Sequence, residues 1–300
     1  MTTRVLLPLA ALALLAGGPT ESAATRQAAA AAPPPPPLVR PAGLRYPWLP
    51  ALPPAGQALA ARFPAPAGCR RVPVAAGSWG EWLRWLPLRP AGTAVHLYNG
   101  APKDRPEVVA AVVNIDTGTR DLQQCADAVI RLRAEYVFSH DPNRVHFHLT
   151  TGYDFWFSDY VAGQTFTVVG EDVRPARRPA QAPTHAALGR YLIPAFGYAG
   201  TLSLSRELRP VALAAAQPGD VLIHGGAPGH AVLVVDVAEH PQTHQRYLLL
   251  AQSYMPAQDL HVLKNTAAPP LGAWVAVNPQ AELLSTPEWD FGAGELKRFE

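Results

Sequence analysis

Residues 217–236 read QPGDVLIHGGAPGHAVLVVD, and this stretch predicts the fold more directly than any other part of the chain. Pro218-Gly219-Asp220 is typical of a turn, and the three apolar residues that follow it predict a short buried strand. The glycine-rich run from His224 to Gly229 predicts a second turn. His230 then opens a second apolar strand. The stretch therefore predicts a hairpin that holds one imidazole at a strand start, beside glycines that leave room for a ligand.

The order of the predicted elements indicates an α+β protein. Helical and strand-like patterns are mixed in the first half, whereas the second half is mainly strand-forming. Such an order favours helices packed against an antiparallel sheet. Of the 300 residues 48% are hydrophobic, which allows a sizeable core. The formal net charge of +2, with no block of Lys or Arg, argues against a nucleic-acid-binding protein.

The N-terminus predicts export. Arg4, the apolar run of residues 5–16 and the small residues Ser22-Ala23-Ala24 are typical of a signal peptide over residues 1–24. An uncleaved anchor is the alternative, although the run is short for a membrane span. Residues 25–43, rich in Ala and Pro, predict an extended linker. We expect a periplasmic or extracellular protein, without stable membrane insertion after signal removal.

The rest of the chain is long enough for one domain. We predict a single α+β domain over residues 44–284 and a partly ordered tail over residues 285–300. Within the domain, a helix is predicted from Arg120 to Phe138, because its apolar residues form one stripe. Cys125 lies on that stripe.

Cys69 and Cys125 are the two cysteines of the sequence, too few for a disulfide framework. In an oxidising compartment they could form a bridge with each other. Cys125 has two further interpretations. It could be a reactive thiol near a helix start, or an unreactive cysteine of the core.

Aromatic residues are the candidates for ligand contacts. A short predicted helix with an N-terminal capping box carries Trp79 and Trp82. A second aromatic-rich stretch contains Tyr153 and Trp156. Because aromatic side chains bury large areas, packing in the core is the alternative for each of them.

Two histidines raise the question of a metal site. Val145 to Leu149 alternates like a strand, which would put His146 and His148 on one face. Two His at this spacing can ligate zinc, but the sequence shows no third ligand at a suitable spacing. A structural role is therefore favoured, and we predict neither a metal site nor a cofactor.

The pattern Gly-Asp, apolar strand, Gly-His, apolar strand, within residues 217–255, resembles the histidine half of papain-like cysteine hydrolases of the NlpC and CHAP type. This resemblance implies a papain-like core and cleavage of peptide or amide bonds, often in bacterial cell walls. It implies that Cys125 is the nucleophile, His230 the general base and Gln252 the residue that orients the imidazole. A helix N-terminus and a neighbouring imidazolium both stabilise a thiolate. Cys125 departs from the pattern because it lies about one turn inside the predicted helix.

A second resemblance covers most of residues 44–280. It is carried by Tyr46-Pro47-Trp48, by GSWGEWL at residues 77–83, by RDLQQCADA at residues 120–128 and by AQSYMPAQ at residues 251–258. These segments resemble an exported bacterial family catalogued as domain of unknown function 4846, which implies no particular activity. We predict an exported cysteine peptidase or amidase that acts on a cell-wall peptide or an envelope protein. The alternative is a non-catalytic envelope binding or structural protein on the same fold.

Overall fold

The computed structural model describes residues 39–170 and 172–300. The predicted signal peptide and residues 25–38 of the predicted linker over residues 25–43 lie outside the described residues. In the part of the chain that is described, none of the helices has the length and apolarity that a membrane span needs.

The described residues form six α-helices and fifteen strands. The helices are α1 (Leu59–Arg62), α2 (Trp79–Arg84), α3 (Cys125–His140), α4 (Phe157–Val161), α5 (His185–Tyr198) and α6 (Thr201–Glu207). The strands of the first half are β1 (Arg70–Arg71), β2 (Val109–Val112), β3 (His146–His148), β4 (Asp154–Trp156), β5 (Gln164–Val169), β6 (Asp172–Arg177) and β7 (Arg209–Pro210). Those of the second half are β8 (Val221–His224), β9 (His230–Glu239), β10 (Arg246–Gln252), β11 (His261–Leu263), β12 (Trp274–Ala276), β13 (Leu283–Ser285), β14 (Asp290–Gly292) and β15 (Leu296–Arg298).

A nine-stranded sheet forms the centre of the fold. Its order is β2-β11-β10-β9-β8-β15-β7, with β1 paired to β9 and β12 paired to β10. All of these pairings are antiparallel. The hairpins β3–β4 and β5–β6 lie outside this sheet, in the segment between α3 and β8. The mixture of helices with an antiparallel sheet agrees with the α+β class predicted from the sequence.

The hairpin predicted over residues 217–236 is present as β8 and β9, with His224 opposite His230. Successive residues of β9 enter two different cores. Leu233 packs on one face of the sheet and Val234 on the other. Helix α3 contributes to the first core, and the hairpin β13–β14 contributes to the second. Because both faces are covered, β9 is apolar at almost every position instead of alternating.

Asp236 is the exception in this apolar run. It is completely buried, and its carboxylate accepts from Arg71 Nε at 2.5 Å and from Arg84 Nε at 2.9 Å. The register of β9 with β10 shifts next to it, between Leu249 and Leu250. A buried carboxylate is tolerated when it is paired with opposite charges in this way. The two ion pairs also connect β1, which carries Arg71, and α2, which carries Arg84, to β9.

The expectation of a partly ordered tail over residues 285–300 is wrong. β13 pairs with β14, and β15 pairs with both β8 and β7 inside the main sheet. Leu296 is fully buried opposite Leu222, and Phe291 is fully buried in the same core. Strands of three residues are too short to give a clear period in the sequence, so the pattern did not reveal them.

Candidate functional site

Cys125 is the first residue of α3, so its thiol lies at a helix N-terminus. The preceding residues are held in a non-helical loop. The Asp121 carboxylate accepts from the Ala257 N–H at 2.7 Å and from the Gln124 side-chain amide at 3.0 Å. Gln124 is the N-cap, and its backbone N–H donates to Asp127 Oδ2 at 3.1 Å. These contacts fix the helix start at the cysteine.

The predicted helix start at Arg120 is therefore wrong, and α3 runs from Cys125 to His140. The departure noted in the sequence, a cysteine one turn inside the helix, does not exist in the structure. A residue at this position lies near backbone N–H groups that have no partner within the helix, at the positive end of the helix dipole.

The Cys125 thiol lies in a closed environment beside β9. Burial raises its pKa, whereas the backbone N–H groups of Ala231 and Ala126 lower it. The Asp127 carboxylate raises the pKa further. The interaction with the Ala231 N–H places the thiol next to the residue that follows His230. The structure therefore brings Cys125 to the start of β9, where His230 lies.

Gln252 holds the imidazole of His230. His230 Nε2 and Gln252 Oε1 are 2.8 Å apart. The amide orientation follows from its other partner, because Gln252 Nε2 lies 2.6 Å from Glu288 Oε2 and a carboxylate only accepts hydrogen bonds. His230 Nε2–H therefore donates to the Gln252 oxygen, which leaves the lone pair on Nδ1. On its other side, Glu288 Oε1 accepts a hydrogen bond of 2.8 Å from Lys103 Nζ.

Aromatic rings cover the His230 imidazole. Ring centroids lie 4.9 Å away for Tyr254, 5.4 Å for Trp289 and 6.1 Å for Phe291. Burial lowers the pKa of His230, while the hydrogen bond to Gln252 raises it. In this arrangement, burial favours the neutral form of both the imidazole and the Cys125 thiol.

The three predicted catalytic residues thus lie in one region, and that region is closed. Cys125, His230 and Gln252 are 6%, 2% and 1% exposed. Tyr254 and Trp289, which pack on the imidazole, are only half-buried. For a substrate to reach the thiol, side chains that cover the site, such as Tyr254 and Trp289, would have to move.

The four aromatic candidates are not gathered around the cysteine. Trp79 stacks on Trp82 with ring centroids 5.3 Å apart and contacts Tyr136 at 5.2 Å. Tyr136 follows Cys125 by eleven residues in α3, which is about 16 Å along the helix axis. Trp82 is 1% exposed, and its indole N–H donates to the Arg45 carbonyl at 2.8 Å. Trp82 therefore packs in the core, which is the alternative that the sequence analysis gives for it.

Tyr153 and Trp156 lie in the β3–β4 region, away from Cys125. Tyr153 is half-buried in an aromatic cluster, and Trp156 stacks on His146 at 4.0 Å with 9° between the ring planes. Trp156 also borders a cavity of about 600 Å³ whose wall includes Arg133 and His140 of α3. This cavity lies along the C-terminal half of α3, whereas Cys125 is at its N-terminus.

Asp154 is a third group beside the two histidines that the sequence singled out. One ligand atom from each of His146, His148 and Asp154 lies within 4.8 Å of the others. Asp154 is the cross-strand neighbour of His148 in the β3–β4 hairpin. The sequence did not reveal this relation because it depends on the register of two strands only three residues long.

Residues 59–298 match the profile of a protein family described as Domain of unknown function (4846). The chain belongs to this family. Cys125, His230, Gln252 and the histidine cluster all lie inside the matched residues. Comparison with curated proteins and with solved structures finds no match.

Cys69 and Cys125 are both free, and they lie toward opposite ends of β9. Cys69 precedes Arg70, which pairs with Glu239 at the end of that strand. Cys125 contacts Ala231, eight residues earlier on β9 and therefore about 26 Å away along the strand. A disulfide requires Cα atoms within about 7 Å of each other. This fold therefore excludes the Cys69–Cys125 bridge considered in the sequence analysis.

Sequence reasoning missed the charged residues behind Gln252. Lys103 and Glu288 are both buried against each other, with 6% side-chain exposure each. They are 185 positions apart in the sequence. Glu288 falls in the segment that was expected to be a tail, so no local pattern marked it. The one usable signal was its neighbour Trp289, an aromatic residue that is unusual in a disordered segment.

Proposed function

We propose that this chain is an exported cysteine peptidase or amidase with a papain-like catalytic arrangement, acting on peptide or amide bonds of the cell envelope. The observation that carries the proposal is a set of neighbouring groups. The Cys125 thiol lies at the N-terminus of α3 and interacts with the backbone at the start of β9, where His230 lies. His230 is hydrogen-bonded to Gln252, and Gln252 is hydrogen-bonded to Glu288. An activated cysteine needs a base whose own orientation is fixed by a third group. Export is proposed from the signal-like N-terminus of the sequence.

In the proposed reaction, His230 Nδ1 accepts the proton of the Cys125 thiol, and the thiolate attacks the carbonyl carbon of the substrate. The C–N bond then breaks as the imidazolium gives its proton to the leaving amine. Water hydrolyses the resulting thioester, with His230 again acting as the base. Backbone N–H groups of the first turn of α3 are suited to stabilise the negative charge on the substrate oxygen. Gln252 keeps the Nδ1 lone pair available, and Glu288 keeps the Gln252 amide oriented.

The burial of the site favours a second candidate function. A cysteine that is 6% exposed, with a pKa raised by burial, also fits an unreactive core position. The chain would then be a non-catalytic envelope binding or structural protein. Among the aromatic candidates, Trp79, Tyr153 and Trp156 are only half-buried, so they remain available as contacts for an envelope partner in that case.

Release of soluble peptides from purified peptidoglycan by the purified chain tests the first candidate. We expect Cys125→Ala to abolish release and His230→Ala to lower it by about 10²–10⁴-fold, as for loss of a general base. Gln252→Ala should be milder, since the reacting pair remains. Adding His230→Ala to Cys125→Ala should have no further effect, because residues that act as a unit are not additive.

Cys69→Ala is the matched control, because it removes the other cysteine about 26 Å away along β9 and should leave release unchanged. Each variant is first checked for folding by circular dichroism. Full activity in Cys125→Ala would contradict the hydrolase. If the unmodified chain releases nothing across a panel of peptidoglycans, and iodoacetamide labels Cys69 but not Cys125 at neutral pH, the binding or structural candidate is the better account.

A further inference from the structure

The β3–β4 hairpin carries a cluster of metal-binding groups that is separate from the cysteine site. His146 and His148 point to the same face because they are two residues apart on β3. Asp154 lies directly opposite His148 on β4. One ligand atom from each of the three lies within 4.8 Å of the other two. Two imidazoles and a carboxylate form a ligand set that zinc uses in proteins.

Glu207 of α6 holds the His148 ring in the orientation that a metal ligand needs. Its Oε2 lies 3.3 Å from His148 Nδ1 and also accepts the His148 backbone N–H at 3.3 Å. Because the carboxylate accepts, Nδ1 carries the hydrogen and Nε2 carries the lone pair. Metal-binding histidines usually donate their other ring N–H to a carboxylate in this manner.

The free nitrogen of His148 lies near Asp154. His148 Nε2 and Asp154 Oδ1 are 3.9 Å apart, which is too long for a hydrogen bond. Two ligands that are each about 2.0–2.1 Å from a zinc ion, at a tetrahedral angle, lie about 3.4 Å from each other. A small rotation of either exposed side chain therefore closes the site around an ion.

Trp156 fixes the second imidazole. It is the cross-strand neighbour of His146, and the two rings are stacked at 4.0 Å with 9° between their planes. The His146 and His148 rings are nearly perpendicular, with 76° between their planes and centroids 5.6 Å apart. Both histidines are thus oriented by neighbours before any ion binds, which lowers the entropy lost on binding.

The cluster is open to an ion and to a further ligand. The side chains of His148 and Asp154 are 41% and 48% exposed. Both histidines border the cavity of about 600 Å³ that also contains Glu207 and Arg144. Three protein ligands leave a fourth tetrahedral position free, which is the arrangement of zinc sites that bind water or a substrate.

We propose that His146, His148 and Asp154 bind a zinc ion beside this cavity, with Glu207 positioning His148. The site is independent of Cys125 and stands whether or not the chain is a hydrolase. Zinc is favoured over magnesium or calcium because imidazole nitrogen supplies two of the three ligands.

Isothermal titration of the tag-free full chain with zinc chloride, in metal-free buffer, tests the proposal. We expect one saturable zinc ion per chain and no comparable binding of magnesium. His148→Gln and Asp154→Asn should each weaken zinc binding by at least about tenfold, a loss that even outer partners of a ligand produce. Glu207→Gln should weaken zinc binding less than either ligand change. His140→Gln, which borders the same cavity outside the cluster, should bind zinc as the unmodified chain does.

Cobalt binding provides a second, spectroscopic measurement. The unmodified chain loaded with cobalt should show the intense visible absorption of a four- or five-coordinate site, and Glu207→Gln should shift it. No saturable zinc binding by the unmodified chain would overturn the proposal. Unchanged binding in the His146→Gln/His148→Gln double variant, or an equal loss in His140→Gln, would also overturn it, because the ion would then bind elsewhere.

Discussion

Asp127 is a buried carboxylate in the first turn of α3, two residues after Cys125. Its Oδ2 accepts the Gln124 N–H, whereas its Oδ1 has no hydrogen-bond partner among the described residues. Burial raises the pKa of Asp127 from 3.8 to about 8. Between about pH 4 and about pH 8 the folded chain therefore keeps a proton on Asp127, whereas the unfolded chain releases it. Its stability must fall as the pH rises from about 4 to about 8.

Asp127→Asn removes this titration while keeping an oxygen that can accept the Gln124 N–H. We expect the variant and the unmodified chain to be about equally stable near pH 4, where both carry a neutral side chain. The variant should become more stable by up to about 1.4 kcal/mol for each pH unit above that, until about pH 8. Urea unfolding at a series of pH values measures the difference. A difference that does not change with pH would show that the Asp127 pKa is not raised.

The residues that the sequence could identify are those that carry a local pattern. His230 and Gln252 follow from their places at the ends of two apolar strands, and the structure joins them by a hydrogen bond. Glu288 could not be identified, because it is 36 positions from Gln252 in the sequence and only the folded chain brings the two together. Asp154 was missed for the same reason, since only the hairpin register places it beside His148.

At the scale of elements, apolar runs predicted strands better than they predicted helix ends. The β8–β9 hairpin was predicted because two turn signals flank its strands. The start of α3 was not predicted, because the apolar stripe continues upstream of Cys125. It is instead set by side-chain contacts such as that of Asp121 with the Ala257 N–H. Short strands such as β15 lack a period altogether and depend on the sheet that they join.

β15 should contribute to the stability of the whole sheet, because it fills the position between β8 and β7. Leu296 is fully buried in the second core, so Leu296→Ala leaves a cavity. We expect a loss of about 2–5 kcal/mol in the free energy of unfolding, measured by urea denaturation. Leu283→Ala on β13 is the matched control, since Leu283 is 57% exposed and its loss should have little effect. Equal stability of the two variants would mean that β15 does not pack as described.

At the scale of the whole molecule, α3 connects two regions of different chemistry. Its N-terminus carries Cys125 beside β9, and its C-terminal half borders the cavity with His146 and His148. The family to which the chain belongs has no stated activity, so the two regions have to be tested separately. The peptidoglycan assay with Cys69→Ala as control addresses the first region, and zinc titration with His140→Gln as control addresses the second.

The response of the whole fold to acid depends on buried histidines. His261 on β11 is completely buried opposite Gln252 of β10. Its Nδ1–H donates a hydrogen bond of 2.9 Å to the Asp259 carbonyl. Burial lowers the pKa of His261 from 6.5 to about 4, and burial also lowers that of His230. The unfolded chain therefore binds protons that the folded chain does not. The stabilisation is complete above about pH 6.5 and is lost as the pH falls toward 4, opposite in sign to the effect of Asp127.

His261→Leu should make the chain less sensitive to acid, although it removes the hydrogen bond to Asp259 and lowers stability at pH 7. The unmodified chain should lose up to about 3 kcal/mol more than the variant between pH 6.5 and pH 4, so the stability difference between the two narrows. Leu263→Val on the same strand removes one methylene and no titrating group, and its stability difference from the unmodified chain should stay constant over this range. Urea unfolding of the three proteins at matched pH values separates the outcomes. A constant difference for His261→Leu would show that His261 is not held neutral by the fold, and the acid sensitivity would then have to come from other groups.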